Sequence, residues 1–209
     1  MDIRSLSLLL VRQRCPVFSV GDAALLSPRG GAGLLRLQLH QWARKGWLVR
    51  LKRGLYELAY PEPSVVPDFL VANRLYEPSY VSLETALSHY QLLPETAPQV
   101  TSVTPKATRR FRNAHGLFTY FTVRPRAFAG YTASSIQGFP VRLAEPEKAV
   151  MDFLYACLRR GRPLRFEEDR WDRGGLRKMK RSRLESYAGL FADARAARKL
   201  KGWIDALLR

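Results

Sequence analysis

Residues 32–59 read AGLLRLQLHQWARKGWLVRLKRGLYELA, and this stretch decides the N-terminal fold. Leu35, Leu39 and Trp42 recur at helical spacing with Ala43 at the edge of the stripe, so a helix is expected from about Ala32 to Lys45. Its other side carries Arg36, Leu37, His40, Gln41 and Arg44. Gly46 stops the helix, because left-handed backbone is cheap for glycine. Two short strands follow, Trp47 to Leu51 and Leu55 to Ala59, joined through Lys52-Arg53-Gly54, a tight basic hairpin tip.

Upstream of this stretch, Ile3, Leu6, Leu9 and Leu10 fall at helical spacing within residues 2–14, and Pro16 ends that helix. Ser19 caps a second helix, Val20 to Leu26, with Asp22 in the first turn, where the helix dipole favours negative charge. Ser27-Pro28-Arg29-Gly30-Gly31 is a turn by composition. Helix, helix, turn, helix and basic hairpin is the order of a winged helix-turn-helix. A major groove admits one α-helix and presents base edges to Arg, Gln and His, while the flanking phosphates attract a basic wing. Residues 1–60 hold ten Lys and Arg against three acidic residues, and five of the ten (Arg44, Lys45, Arg50, Lys52, Arg53) cluster where the third helix ends and the wing begins.

The DNA-binding set expected from this reading is Arg29, Arg36, His40, Gln41, Arg44, Lys45, Arg50, Lys52 and Arg53. Arg36, His40, Gln41 and Arg44 are assigned to the major groove, and Lys52 and Arg53 to phosphate or the minor groove at the wing tip. Leu37 is out of place on a polar face: it either touches a thymine methyl or packs against another part of the protein.

The rest of the chain agrees with a nucleic-acid partner. Lys and Arg number 35 against 18 Asp and Glu, a formal net charge of +17 that favours a polyanion. No apolar run reaches the ~18 residues that a membrane span needs. The run Leu6 to Val11 is too short for a signal sequence and is followed at once by Arg12 and Arg14. Cys15 and Cys157 form no pattern, so a reducing, cytoplasmic setting is expected.

Pro61-Glu62-Pro63-Ser64-Val65-Val66-Pro67 reads as a stiff linker (61–67) between the DNA-binding unit (1–60) and a second domain (68–209). In the second domain, helices are expected over Asp68 to Tyr76 and Leu83 to Tyr90, the latter capped by Ser82. Strands are expected over Val100 to Thr104, Arg109 to Phe111, Leu117 to Val123 and Gly138 to Leu143, with a hairpin turn at His115-Gly116. A long helix starts at Glu145-Pro146-Glu147, where both glutamates favour the positive dipole end, and Gly161 terminates it. Two helices, Ser182 to Phe191 and Ala194 to Leu208, close the chain. The fold class is therefore α+β: a winged helix-turn-helix followed by a mixed α+β domain ending in helices.

Nothing in the pattern carries catalysis. His40, His89 and His115 have no partner in sequence, so no metal or cofactor is expected. Glu145-Pro146-Glu147-Lys148 matches the E-x-K half of a metal-dependent nuclease site, but no acidic residue lies between Glu95 and Glu145, and helix capping is the preferred reading. Cys157 lies on an apolar stripe as a core thiol. The segment 159–183, with eleven Lys and Arg against four acidic residues, is either a second polyanion surface or a solvated loop.

Several stretches together resemble a known family. They are Ser79-Tyr80-Val81-Ser82-Leu83-Glu84-Thr85-Ala86-Leu87, Leu92-Leu93-Pro94-Glu95, Val100-Thr101-Ser102-Val103-Thr104, Thr108-Arg109-Arg110-Phe111, Phe118-Thr119-Tyr120 and Ala144-Glu145-Pro146-Glu147-Lys148-Ala149. With the wing Arg53-Gly54-Leu55-Tyr56, this ordered set resembles the AbiEi family, antitoxins and transcriptional autoregulators of type IV toxin–antitoxin systems. The resemblance implies a winged helix-turn-helix that binds inverted repeats in double-stranded DNA of its own promoter and represses it. It also implies a C-terminal domain that counters a nucleotidyltransferase-like toxin without a stable complex. The rival readings are a regulator whose second domain senses a ligand, with no toxin partner, a metal-dependent nuclease using Glu145 and Lys148, and a pure protein-interaction module with no salt-dependent affinity for DNA.

Overall fold

The computed structural model describes residues 2–26, 31–63, 65–94, 99–164, 170–191 and 194–208. The chain opens with α1 (Ile3–Arg12), β1 (Val17–Ser19), α2 (Val20–Leu26), α3 (Ala32–Arg44), β2 (Leu48–Lys52) and β3 (Leu55–Leu58). The strands form an antiparallel sheet in the order β1-β3-β2. Ile3, Leu6 and Leu10 of α1, Leu35, Leu39 and Trp42 of α3, and Phe18, Leu48, Tyr56 and Leu58 of the sheet share one buried cluster. This is the winged helix-turn-helix expected from the spacing, completed by a strand that the sequence reading missed. β1 is three residues long, too short for period-two alternation to register.

The second part has a mixed six-stranded sheet in the order β6-β7-β5-β4-β9-β8. Its strands are β4 (Tyr80–Val81), β5 (Gln99–Thr104), β6 (Arg109–Asn113), β7 (Gly116–Thr122), β8 (Tyr131–Ile136) and β9 (Phe139–Ala144). β5 runs parallel to β7 and β4 parallel to β9, and the other pairs are antiparallel. Helices α4 (Asp68–Leu75), α5 (Leu83–His89), α6 (Pro146–Arg160), α7 (Arg173–Arg177), α8 (Arg181–Phe191) and α9 (Ala194–Leu207) complete it. The α+β class holds. β4, β8 and α7 were not expected from sequence: β4 has two residues, and Thr132, Ser134 and Ser135 leave β8 without an apolar rhythm.

Residues 61–67 are not a free spacer. Val66 and Pro67 are buried, and Pro67 precedes the first turn of α4. Val17, Leu51 and Leu55 of the winged helix-turn-helix lie in the same buried cluster as Val71, Tyr80, Phe118 and Leu154 of the second part. The small sheet is thus anchored on the large one through continuous apolar contact.

Ser82 and Glu145 stand at the starts of α5 and α6 as read from sequence, but neither side chain bonds to the helix end. Ser82 occupies the position before α5 but makes no side-chain cap, because its Oγ donates to Asp152 at 2.7 Å instead. Glu145 likewise makes no side-chain cap on α6: its carboxylate accepts from Arg183 and from the Tyr187 hydroxyl, pinning α8 to the start of α6. In both cases a tertiary partner outcompetes the local backbone. Gly161 does end α6 with a φ of 64°, and Cys157 is buried in the core, as read from sequence.

Candidate nucleic-acid interface

The apolar stripe of α3 decides which side chains remain outside. With Leu35, Leu39 and Trp42 buried, the helix turns Arg36, Leu37, His40, Gln41 and Arg44 into solvent. Leu37 is 54% exposed, so it does not pack against another part of the chain. The helix ends as Gly46, at φ 75°, bonds back to the Ala43 carbonyl. Lys45 then folds its ammonium over the Trp47 ring, 4.7 Å from the centroid.

The wing turns at Arg53-Gly54, where Gly54 takes φ 76°. The Val20 amide donates to the Gly54 carbonyl at 3.1 Å, tying the turn to the start of α2. That start is itself closed reciprocally: the Ser19 amide donates to the Asp22 carboxylate, and the Asp22 amide to the Ser19 hydroxyl. Ser19 is therefore the cap that the sequence suggested.

Consequently Arg36 of α3 and Arg53 of the wing line one cleft, of about 470 Å³, with Ser19, Val20, Gly21, Gly54 and Tyr56. Arg50 is exposed on β2. Among the described residues, none of Arg36, Arg44, Arg50 and Arg53 lies in an ion pair with a carboxylate. Arg29 lies outside the described residues.

Lys52 is placed differently from its expected role at the wing tip. Its ammonium points away from α3, donates to the Leu75 carbonyl at 2.5 Å and sits over the Phe111 ring. Burial pushes its pKa down, Glu77 opposes this, and the nearby Lys106, Arg109 and Arg74 add to the lowering. The hairpin tip thus divides its two cations, Arg53 toward solvent and Lys52 toward the second sheet.

Sequence reasoning found no partner for His115, yet three separate segments meet there. His115 Nε2 lies 2.6 Å from Glu57 of β3, and Nδ1 lies 2.9 Å from Asp68 at the start of α4. Burial opposes the imidazolium, but hydrogen bonds to Glu57 and Asp68 outweigh it, so the pKa rises above 6.5. Charged, the ring donates from both nitrogens and clasps the wing to the second sheet. No local pattern could reveal this, since the partners stand 58 and 47 residues away.

The Glu145–Lys148 pair does not form an open site. Lys148 has no solvent exposure and is ion-paired with Asp152 one helical turn on. Tyr80 and Ser82 complete that buried network, their hydroxyls donating to Asp152 at 3.0 and 2.7 Å. In the segment 159–183, Arg181 pairs with Glu185 and Asp205, and Arg183 with Glu145. Among the described residues, no helix is long and apolar enough to cross a membrane.

Residues 5–59 match the family model described as transcriptional regulator, AbiEi antitoxin. The matched residues are those of the winged helix-turn-helix, from within α1 to the end of the wing. The family-like motifs between Ser79 and Ala149 lie outside the matched residues. No curated protein matches the chain. Among solved structures, it is similar to the RV2827C protein from Mycobacterium tuberculosis, with a TM-score of 0.62 at 14% identity over 98% of this chain and 80% of that one. At that identity the likeness concerns the fold alone, but it extends past the matched segment to nearly the whole chain.

Proposed function

We propose that this protein is a DNA-binding transcriptional repressor and antitoxin. It binds inverted repeats in its own promoter and counters a nucleotidyltransferase-like toxin encoded alongside, without forming a stable complex and without catalytic activity of its own. One observation carries the DNA-binding half: Arg36 of α3 and Arg53 of the wing open onto a single cleft. A duplex that receives α3 in its major groove then meets the wing at its flanking phosphates. Arg36, His40, Gln41 and Arg44 read base edges, Arg53 and Arg50 hold phosphate, and Lys45 lies at the boundary. The antitoxin half rests on the match of residues 5–59 to the AbiEi antitoxin model.

The test is titration of the full chain with a duplex of its own upstream region. Arg44→Ala is expected to weaken specific binding by ~1–3 kcal/mol, as for loss of a base contact. Unchanged binding by both Arg36→Ala and Arg44→Ala rejects the assignment. For the antitoxin half, co-expression with the neighbouring toxin gene should restore growth.

A second reading, a ligand-responsive regulator with no toxin partner, is favoured by one feature. Leu10, Pro16, Leu58, Tyr60 and Phe139 line a mainly apolar cleft of about 450 Å³ between α1, the end of β3 and the β8–β9 turn. A toxin gene beside this one supports the first reading, and a monocistronic locus the second.

A further inference from the structure

We infer that the DNA phosphate backbone continues past the wing tip into a second cleft, where Lys106 of the β5–β6 loop and Arg109 of β6 contact it. This rests on the DNA-binding reading above and extends its footprint beyond the winged helix-turn-helix.

The cleft, of about 550 Å³, lies between the wing and the edge strand β6. Lys52, Arg53, Arg74, Lys106 and Arg109 line it against one carboxylate, Glu77. Glu77 is already shared by Arg74 and Arg142, at 3.5 and 3.0 Å. Lys106 and Arg109 rest over the Tyr76 ring, each 5.6 Å from its centroid, and Lys106 Nζ donates to the Glu77 carbonyl. These two cations are held in place by a ring and a carbonyl, neither of which neutralises them. The crowding is felt by Lys52, whose charged form Lys106, Arg109 and Arg74 all disfavour. An anion entering the cleft relieves that repulsion.

What makes the anion a duplex backbone is continuity. Arg53 lines both clefts, with Arg36 on one side and with Lys106 and Arg109 on the other. A single cationic track therefore runs from α3 over the wing tip to β6, as phosphates succeed one another along a strand. The rival account is that β6 carries arginines to keep a sheet edge from pairing with other chains. That account applies equally to Arg110 and Arg112, which alternate to the opposite face of β6.

The deciding measurement is the salt dependence of affinity, followed by fluorescence anisotropy on the upstream duplex between roughly 50 and 200 mM salt. Replacing Lys106 and Arg109 together by Gln should lower the slope of log K against log salt by about two units, at ~0.9 per phosphate lost. Replacing Arg110 and Arg112 by Gln removes the same charge and should leave the slope unchanged. Equal loss in both pairs, or no loss in the first, overturns the inference. Should the first pair fail to keep the wild-type thermal midpoint, Arg109→Gln alone is read instead, with about one unit expected. Wild-type protein without salt-dependent affinity removes the DNA-binding reading and this extension together. Wild-type binding with an unshifted Lys106/Arg109 slope removes only the extension.

Discussion

Helices α3 and α6 are both amphipathic and both carry charge, but they dispose of it in opposite ways. On α3, Arg36 and Arg44 stand in solvent with no carboxylate partner among the described residues. On α6, Lys148 and Asp152 have no exposure and are bound to each other, to Tyr80 and to Ser82. Desolvation raises the Asp152 pKa and lowers that of Lys148, and their mutual attraction opposes both shifts. Charge that is paired and dry holds the fold together, whereas charge that is wet and unpaired is available to a ligand. Lys52 and Arg53, adjacent on the hairpin, differ in the same direction: Lys52 is half-buried and bonded to a carbonyl, while Arg53 stands in solvent.

The largest expected effect breaks the buried half. Lys148→Ala strands a carboxylate in the core and should cost ~3–5 kcal/mol of stability, read from urea unfolding. Lys148→Met with Asp152→Leu should cost clearly less, because no charge is left alone. A single substitution that leaves the urea midpoint unchanged contradicts a structural role for the pair.

Next in size is the exposed half. Arg36→Ala should weaken DNA binding by ~1–3 kcal/mol while moving stability by no more than ~0.5 kcal/mol. The wing then sharpens the contrast. Arg53→Ala should reduce the salt slope by about one unit and leave stability alone. Lys52→Ala should instead destabilise by ~1 kcal/mol, since the Leu75 carbonyl loses its donor. Equal stability for the two wing variants would show that Lys52 is as free as Arg53.

The smallest effect concerns the clasp between the two sheets. The His115 pKa is raised in the fold, so its contribution is complete below the unfolded value of 6.5 and is lost as pH rises through the folded value. The thermal midpoint should therefore fall between about pH 6 and pH 8 by more in the wild type than in His115→Gln. Parallel curves for the two proteins would remove the clasp.

Much of the candidate site was legible because its signals are local. The stripe Leu35, Leu39, Trp42 fixes which face of α3 is wet, and Gly46 and Gly54 mark its end and the hairpin turn. Ser82 and Glu145 stand at the helix starts where they were expected, but their side chains bind elsewhere for the complementary reason. Asp152 in one case and Arg183 with Tyr187 in the other bind those side chains more strongly than the helix end does. Arg109 is legible as the start of a strand and as part of a family-like motif, and Lys106 belongs to no motif; nothing local says that the two would face the wing.

The sequence by itself determined the winged helix-turn-helix, the cationic face of its third helix and the basic hairpin, since period and turn chemistry act within a few residues. Only the tertiary structure decided that Arg36 and Arg53 share one cleft, that Lys52 turns inward, that Lys148 is buried and that His115 meets Glu57 and Asp68. Those outcomes depend on which distant segments come together and exclude water, and solvation and pairing, not residue type, set what a charge does.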